Sequence, residues 1–438
     1  MAGGTWVTQN KVRPGLYVDT VSEGKAVGSV GDRGIVAMGL SLSWGESGKI
    51  IEIKSNDDTL KLLGYDVTAP QIMLVREALK RAKTLLLYRL NKGTKATVSV
   101  GGLTVTAKYG GVRGNDLSVV VQANIDEPTL FDVKTLLDGR EMDVQTVSDV
   151  SSLIANDWVA FSGTGAPSPS AGAPLINGSD GTVTNQDHMD FLAAAELHDF
   201  HTIALPFDDA TLKSVYTAFV RRLREDEGKK VQAVLSNYSG ADYDGVINVK
   251  NGVVLSDGKT LSAAQATAWV AGAEAGAQIN ESLTFQAYDD AVDVSQRYTN
   301  AQIEAALKAG EFVFVPNNGR AIVEQDINSF TSFSPKKGKE FSKNRVIRVL
   351  DGINNDFKRI FEKFYIGKVD NDADGRNLLR NECNTYMSTL QGINAIQNFD
   401  SSTDVVILPG NESDAVYAEV DVQPVDAIEK IYMKVKVK

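Results

Sequence analysis

The chain has 438 residues, 43% of them hydrophobic, one cysteine and a formal net charge of −11. This length is enough for several domains, each with its own core. The single cysteine excludes an internal disulfide framework and favours synthesis in a reducing compartment, the cytosol. The acidic balance argues against nucleic-acid binding, and no apolar run is long enough to insert into a membrane.

Residues 1–21 are predicted to form an extended N-terminal arm. The segment is too polar and too rich in turn residues for a signal peptide. Its apolar side chains are candidates for contacts between subunits: Trp6, Val7, Leu16, Tyr17 and Val18.

Two regions of different character follow the arm. Residues 22–90 read as the first part of an α/β region, with a strand at 34–44, a helix at 70–83 and a strand at 84–90. Residues 91–147 contain short β runs split by glycine pairs, which predicts a small inserted β domain. The Gly-, Pro- and Ser-rich stretch 162–181 is predicted to be a loop.

Residues 148–328 alternate helix and strand and are predicted to form an α/β core. Thr184 with Asp187 favours a helix start, and a helix at 209–227 precedes a strand at 231–236. This succession implies a mainly parallel sheet covered by helices. Asn251-Gly252 and Asn318-Gly319 are predicted hairpin turns, and Gly272 with Gly276 predicts close helix packing.

Residues 329–415 are predicted to form an α+β module with helices at 345–366 and 376–397. Cys383 is expected in its core. Residues 336–380 carry 12 basic and 7 acidic side chains, a local charge of +5 that leaves −16 for the rest. The outer residues Lys358, Arg359 and Lys363 either face an acidic partner or form a solvated helix face.

Residues 416–438 are predicted to be a C-terminal strand arm. Ile431, Met433, Val435 and Val437 alternate with lysines, which is the period of a half-buried strand. A strand at a chain end pairs with a sheet edge of its own fold or of a neighbouring copy. The pattern alone leaves both possibilities open.

Two motifs suggest metal binding but lack the required ligands. Asp370 to Gly375 begins like a calcium loop, but the twelfth position is Asn381 and Glu382 follows one residue late. The three histidines, His188, His198 and His201, lack zinc-ligand spacing. We therefore predict no metal or other cofactor.

Six segments resemble contractile-tail sheath proteins of phages, defective prophages and phage-derived bacteriocin particles. They are GSDGTVTNQDHMDFL from Gly178, AWVAGAEAGAQINESLT from Ala268, EQDINSF from Glu324, KNRVIRVLDGINNDF from Lys343, FYIGKVDNDADGRNLL from Phe364 and VQPVDAIEKIY from Val422. The resemblance implies a subtilisin-like α/β core and a structural protomer without enzymatic activity. It further implies six-membered rings stacked helically on a tail tube, ending at baseplate and tail terminator proteins.

Two alternatives to a phage sheath are considered. A subtilisin-fold hydrolase would need a Ser-His-Asp set, and the Gly-rich loop at 161–165 lacks the Gly-Thr-Ser turn of that enzyme family. The sheath of a non-phage injection particle would have the same sequence features. The expected location is a virion tail or phage-like particle, assembled in the cytoplasm of a bacterial host.

Overall fold

The computed structural model describes residues 29–437 and, before them, the backbone of two short strands that pair in parallel, β1 (Ala2–Gly4) and β2 (Gly15–Tyr17). The chain forms two compact units. The large unit comprises Asp32–Gly352 and Asp426–Lys438, and the small unit comprises Met1–Gly31 and Ile353–Val425. Among the described residues, every helix is too short or too polar to cross a membrane.

The large unit begins with an α/β segment. Its elements are β3 (Ile35–Leu40), β4 (Ile50–Lys54), α1 (Thr59–Leu63), α2 (Met73–Leu79) and β5 (Thr84–Arg89). Asp58 caps α1 by accepting a hydrogen bond from the Lys61 amide. The predicted helix at 70–83 is instead a 3₁₀ turn that Pro70 opens, followed by the shorter helix α2, which ends at Leu79.

Seven antiparallel strands then form two sheets that enclose a common core. They are β6 (Lys95–Val100), β7 (Leu103–Gly110), β8 (Leu117–Ala123), β9 (Phe131–Leu137), β10 (Arg140–Val147), β11 (Val159–Gly163) and β12 (Ser170–Pro174). The sheet orders are β10-β9-β8-β12 and β11-β7-β6. Alternate residues of β7, β8 and β9 point into the core, as the period of two requires.

The predicted end of this β domain at residue 147 was too early. Strand β11 pairs with β7, and β12 pairs with β8, although residues 162–181 were predicted to be a loop. Gly, Pro and Ser have low strand propensity, so the sequence pattern concealed these strands. Pairing with strands that are already placed overrides that local preference.

The remaining elements of the α/β core follow in chain order. They are α3 (Asn185–Glu196), β13 (Thr202–Ala204), α4 (Ala210–Glu225), β14 (Gln232–Ser236), β15 (Val246–Val249), β16 (Val253–Leu255), α5 (Ala263–Gly276), β17 (Ala291–Val294), α6 (Asn300–Lys308), β18 (Glu311–Phe312), β19 (Phe314–Asn317) and β20 (Arg320–Val323). Capping boxes begin α3, α5 and α6.

A seven-stranded sheet in the order β18-β15-β14-β13-β3-β5-β4 is the centre of the large unit. All its neighbouring pairs are parallel except β4 with β5. Helices α2 and α5 contribute to the core on one face, and α3 and α4 contribute to the core on the other. The mixed α/β, multidomain fold predicted from the sequence is thereby confirmed.

One of the two predicted hairpin turns is present. Asn318 and Gly319 adopt positive φ of 48° and 75° and connect β19 to β20. Asn251-Gly252 is not a hairpin turn. The buried Asn251 side chain instead exchanges two hydrogen bonds with the backbone of Phe314, and a Cβ on Gly252 would lie 1.8 Å from the Leu261 carbonyl oxygen.

The small unit is built on two helices and a hairpin. These elements are the later part of α7 (Asn344–Phe364), α8 (Ala373–Gly392), β21 (Val405–Pro409) and β22 (Val416–Val420). Cys383 is buried on α8, as predicted, and burial raises the pKa of its thiol to about 12. Residues 329–352 are part of the large unit.

Close packing of α5 on α2 gives a testable consequence. A Cβ added at Gly272 would lie 2.3 Å from the Ala78 carbonyl oxygen. Gly272→Ala should therefore lower the free energy of unfolding by about 1–3 kcal/mol. Gly240→Ala is the control, because its Cβ would meet nothing within 4 Å, and it should change stability by less than about 0.5 kcal/mol. Equal urea midpoints for the two variants would contradict the packing argument.

Candidate interaction surfaces

Residues 430–437 are exposed and pair with no strand among the described residues. Residues 426–437 form no helix or strand, and the four alternating apolar side chains are 78–96% exposed: Ile431, Met433, Val435 and Val437. The sequence analysis predicted one strand arm from Val416. Strand β22 instead pairs with β21, so the free part of the chain begins later. A strand forms only with a partner, and this tail has none within the described chain.

The N-terminal candidates are only partly described. Leu16 and Tyr17 lie in β2, where they pair with Gly3 and Gly4 of β1. Trp6, Val7 and Val18 lie outside the described residues.

The hairpin of β21 and β22 is an acidic surface with unpaired edges among the described residues. Residues 400–421 contain six acidic side chains and no lysine or arginine. All but the last residue of β22 are exposed. A groove of about 350 Å³ lies beside this strand and is lined by Val416 and Ala418 together with residues of α7 and α8. Such an edge offers backbone donors and acceptors to an extended segment.

The basic residues Lys358, Arg359 and Lys363 are exposed on α7, on the outer side predicted from the sequence. Arg359 also has a structural role in the small unit, because it donates hydrogen bonds to the Ser29 carbonyl and to Asp356. Asp356 in turn accepts bonds from the Gly31 amide and the Tyr386 hydroxyl. Part of the local charge of +5 is therefore engaged in contacts within the small unit.

Helix α7 begins at a buried ionic cluster that the sequence analysis did not identify. The Arg348 guanidinium contacts Glu274 and Asp326, and all three side chains are about 1% exposed. Asn344 donates to both carboxylates, at 3.1 and 2.9 Å. Burial and the neighbouring Asp326 raise the pKa of Glu274 well above its ordinary value. One turn later, Arg224 holds Asp351 through two hydrogen bonds of 2.6 and 2.8 Å.

A second unpredicted site fixes the tail at Glu429. Its carboxylate accepts hydrogen bonds from Thr284 and Gln325, at 2.9 and 2.5 Å, and pairs with Lys343. Burial alone would raise the pKa of Glu429, but the bonds from Lys343 and Gln325 hold it below its ordinary value. Within residues 428–438, Glu429 is the one acidic residue beside four lysines, which was the local signal for this site.

Each of the three histidines contacts another residue of the fold. His188 is buried and its Nδ1 lies 3.1 Å from the Tyr216 hydroxyl. Nδ1 of His201 accepts a hydrogen bond from the Ile35 amide, and burial lowers the pKa of His201 to about 3. The carbonyl of His198 accepts a bond from Lys229. Over residues 29–437, no three His, Cys, Asp or Glu side chains are grouped as metal ligands.

The calcium-like motif caps a helix. Asp372 accepts a hydrogen bond from the Gly375 amide at the start of α8. The side-chain amide of Asn371 donates hydrogen bonds to the backbone carbonyls of Ser413 and Ala415. Asp372 therefore caps the start of α8, and Asn371 joins the preceding loop to residues 413–415.

Comparison with known protein families identifies the class of protein to which the chain belongs. Residues 33–90 match the tail sheath protein Gp18 domain III N-terminal region, and 91–180 match the phage tail sheath protein beta-sandwich domain. Residues 181–329 match the phage tail sheath protein central domain, and 336–438 match the phage tail sheath C-terminal domain. The chain belongs to the phage tail sheath protein family.

Individual relatives agree with this assignment. The chain is similar to the crystal structure of the sheath tail protein from Desulfitobacterium hafniense (63% identity, TM-score 0.88, 97% of this chain and 100% of that chain). It is 40% identical to the phage-like element PBSX protein XkdK of Bacillus subtilis (strain 168), with both chains fully covered. It is a structural sheath protein of a contractile phage tail or phage-like particle.

A more distant structure has the same fold. The helical sheath of the anti-feeding prophage in its contracted state matches with a TM-score of 0.56 and 14% identity, over 98% of this chain and 100% of that chain. At this identity the likeness shows the fold alone.

The buried cluster provides a mutational test. Arg348→Met leaves two buried carboxylates without their cation, so we expect a loss of about 3–5 kcal/mol of stability. Arg222→Met removes surface pairs with Glu196 and Glu227 and should cost about 0–1 kcal/mol per pair. Urea unfolding followed by tryptophan fluorescence measures both variants.

Glu274→Gln keeps the side-chain shape and an acceptor oxygen at the same cluster. It should cost less than Arg348→Met. Similar losses for Arg348→Met and Arg222→Met would show that the cluster does not stabilise the start of α7.

Proposed function

We propose that copies of this chain form six-membered rings stacked helically around a tail tube, joined to a baseplate at one end and a terminator at the other. The polymer assembles in an extended state in the host cytoplasm and contracts to drive injection. The protein acts as a mechanical component rather than as an enzyme. Membership of the sheath family supports this proposal. The exposed tail supports a more specific proposal for how neighbouring copies are linked.

The tail is proposed to donate a strand to the hairpin of β21 and β22 in a neighbouring copy. Its exposed backbone and alternating side chains are suited to adding a strand to an open edge. Residues 428–438 contain four lysines and one glutamate, whereas residues 400–421 contain six acidic residues. Complementary charge favours the encounter and fixes the register, while backbone hydrogen bonds supply the affinity.

Strand donation also suits contraction. A sheath must keep its subunits linked while their other contacts change. A short ladder of backbone hydrogen bonds at the end of a chain segment remains intact when the bodies on either side rotate. The N-terminal candidates Trp6, Val7, Leu16, Tyr17 and Val18 are proposed to form a second link of this kind.

The exposed basic residues of α7 are proposed to face the tail tube. Exposed charge pairs contribute about 0–1 kcal/mol each, so such a contact can direct assembly and still release during contraction. Arg359 is the one of the three whose hydrogen bonds to Ser29 and Asp356 also hold the small unit together, so it is left unchanged in the test below.

Deletion of residues 431–438 tests strand donation. Residues 431–437 are exposed, and the cut leaves both β22 and Glu429 in place. The shortened chain should keep its circular dichroism spectrum and melting temperature but fail to form polymers, as judged by sedimentation and negative-stain microscopy.

The matched control for the deletion is Lys434→Gln with Lys436→Gln. This variant retains the strand and should still polymerise, with a weaker dependence on salt concentration. Polymers of normal length from the deleted chain would refute the proposed link.

The tube contact is tested by Lys358→Glu combined with Lys363→Glu. Two reversed charges should weaken tube-templated assembly by about tenfold, equivalent to about 1.4 kcal/mol, most strongly at low salt. Lys95→Glu combined with Lys308→Glu changes the same charge at exposed positions of the large unit and should have no effect. Unchanged assembly of the first variant at every salt concentration would place this helix face away from the tube.

A further inference from the structure

Glu429 holds the tail at one point between exposed stretches. Ile428 is 87% exposed on one side and Ile431 is 78% exposed on the other. Between them, the Glu429 carboxylate accepts hydrogen bonds from Thr284 and Gln325 and pairs with Lys343. These three partners come from separate segments of the large unit. We call Glu429 and its three partners the tail clasp.

The partners in the tail clasp are themselves fixed by the buried ionic cluster. The Thr284 hydroxyl, which donates to Glu429, accepts a hydrogen bond of 3.0 Å from the Asp326 amide. Gln325 directly precedes Asp326 in the chain. Lys343 directly precedes Asn344, and the side-chain amide of Asn344 donates a hydrogen bond to Asp326. The clasp is therefore a continuation of the cluster that holds the start of α7.

A neighbouring groove offers the tail another place to lie. It has a volume of about 650 Å³, and its lining includes Phe285, Phe333, Glu429 and Lys430. Residues 431–437 do not line it. The tail thus leaves this surface after Lys430, with its apolar residues still exposed.

We propose that Glu429 is a positioning residue that fixes where the tail leaves the large unit, so that residues 431–438 reach a second copy from a defined origin. This inference rests on the proposed strand donation. Glu429 does not contact the neighbour's strand; it acts through the length of chain that remains free.

The size of the effect follows from chain statistics. The Val425 amide donates to the Ala395 carbonyl, so without the clasp about six residues separate a bonded position from Ile431. With the clasp, about two residues separate the bonded Glu429 from Ile431. A flexible segment has an end-to-end distance of about 5–6 Å × √n, which gives about 13 Å against about 8 Å. The sampled volume falls about fivefold, and the effective concentration of the tail at the acceptor rises by that factor.

The test uses the full chain with a nitroxide label at Met433→Cys. Cys383 is buried and does not compete for the label. We compare Glu429→Ala with Lys430→Gln, a matched change at the next residue that leaves the clasp intact. Glu429→Ala should increase label mobility in the unassembled chain and raise the critical concentration for polymerisation about fivefold. Lys430→Gln should leave the mobility unchanged.

A charge-swapped double variant separates positioning from general damage. Glu429→Lys combined with Lys343→Glu restores an ion pair, and it should recover part of the label restriction and of the polymerisation. Unchanged mobility in Glu429→Ala would overturn the clasp. Increased mobility with an unchanged critical concentration would overturn its positioning role. Polymerisation of the chain lacking residues 431–438 would instead refute strand donation, whatever the label reports.

Discussion

The start of α7 and the attachment of the tail depend on one interaction, the buried cluster of Arg348, Glu274 and Asp326. One guanidinium between two carboxylates leaves a surplus negative charge, and raising the pKa of Glu274 is the physical response to it. The cluster fixes the first turns of α7, the helix that contributes residues to both units. Its backbone neighbours Gln325 and Lys343 also hold Glu429, so the core and the chain end share one set of contacts.

Local signals in the sequence predicted much of the fold. Thr184 with Asp187 forms a capping box, Asn318-Gly319 forms a hairpin turn, and Gly272 packs against the backbone of α2. Each of these depends on residues a few positions apart or on the space available to one side chain. The strand at 170–174 was missed because it owes its conformation to β8, more than 40 residues earlier, rather than to its own residues.

The sites were harder to predict than the elements. Arg348 and Glu274 are 74 residues apart, and Lys343 and Glu429 are 86 residues apart, so no local pattern could pair them. The alternation of apolar residues and lysines predicted a strand in the tail. Such alternation shows only which side chains would share a face. Whether a strand forms depends on a partner edge, and among the described residues the tail pairs with none. In the proposed strand donation, the exposed segment from Ile431 to Val437 is the donor and the acidic, open hairpin is the acceptor.

A helical reconstruction of the assembled polymer at side-chain resolution tests the central claim most directly. The account predicts that residues 431–437 form a strand hydrogen-bonded to an edge of the β21–β22 hairpin in an adjacent copy. It also predicts that Glu429 remains paired with Lys343 of its own chain. A tail that lies along its own large unit, or that has no backbone partner in the polymer, would contradict the account.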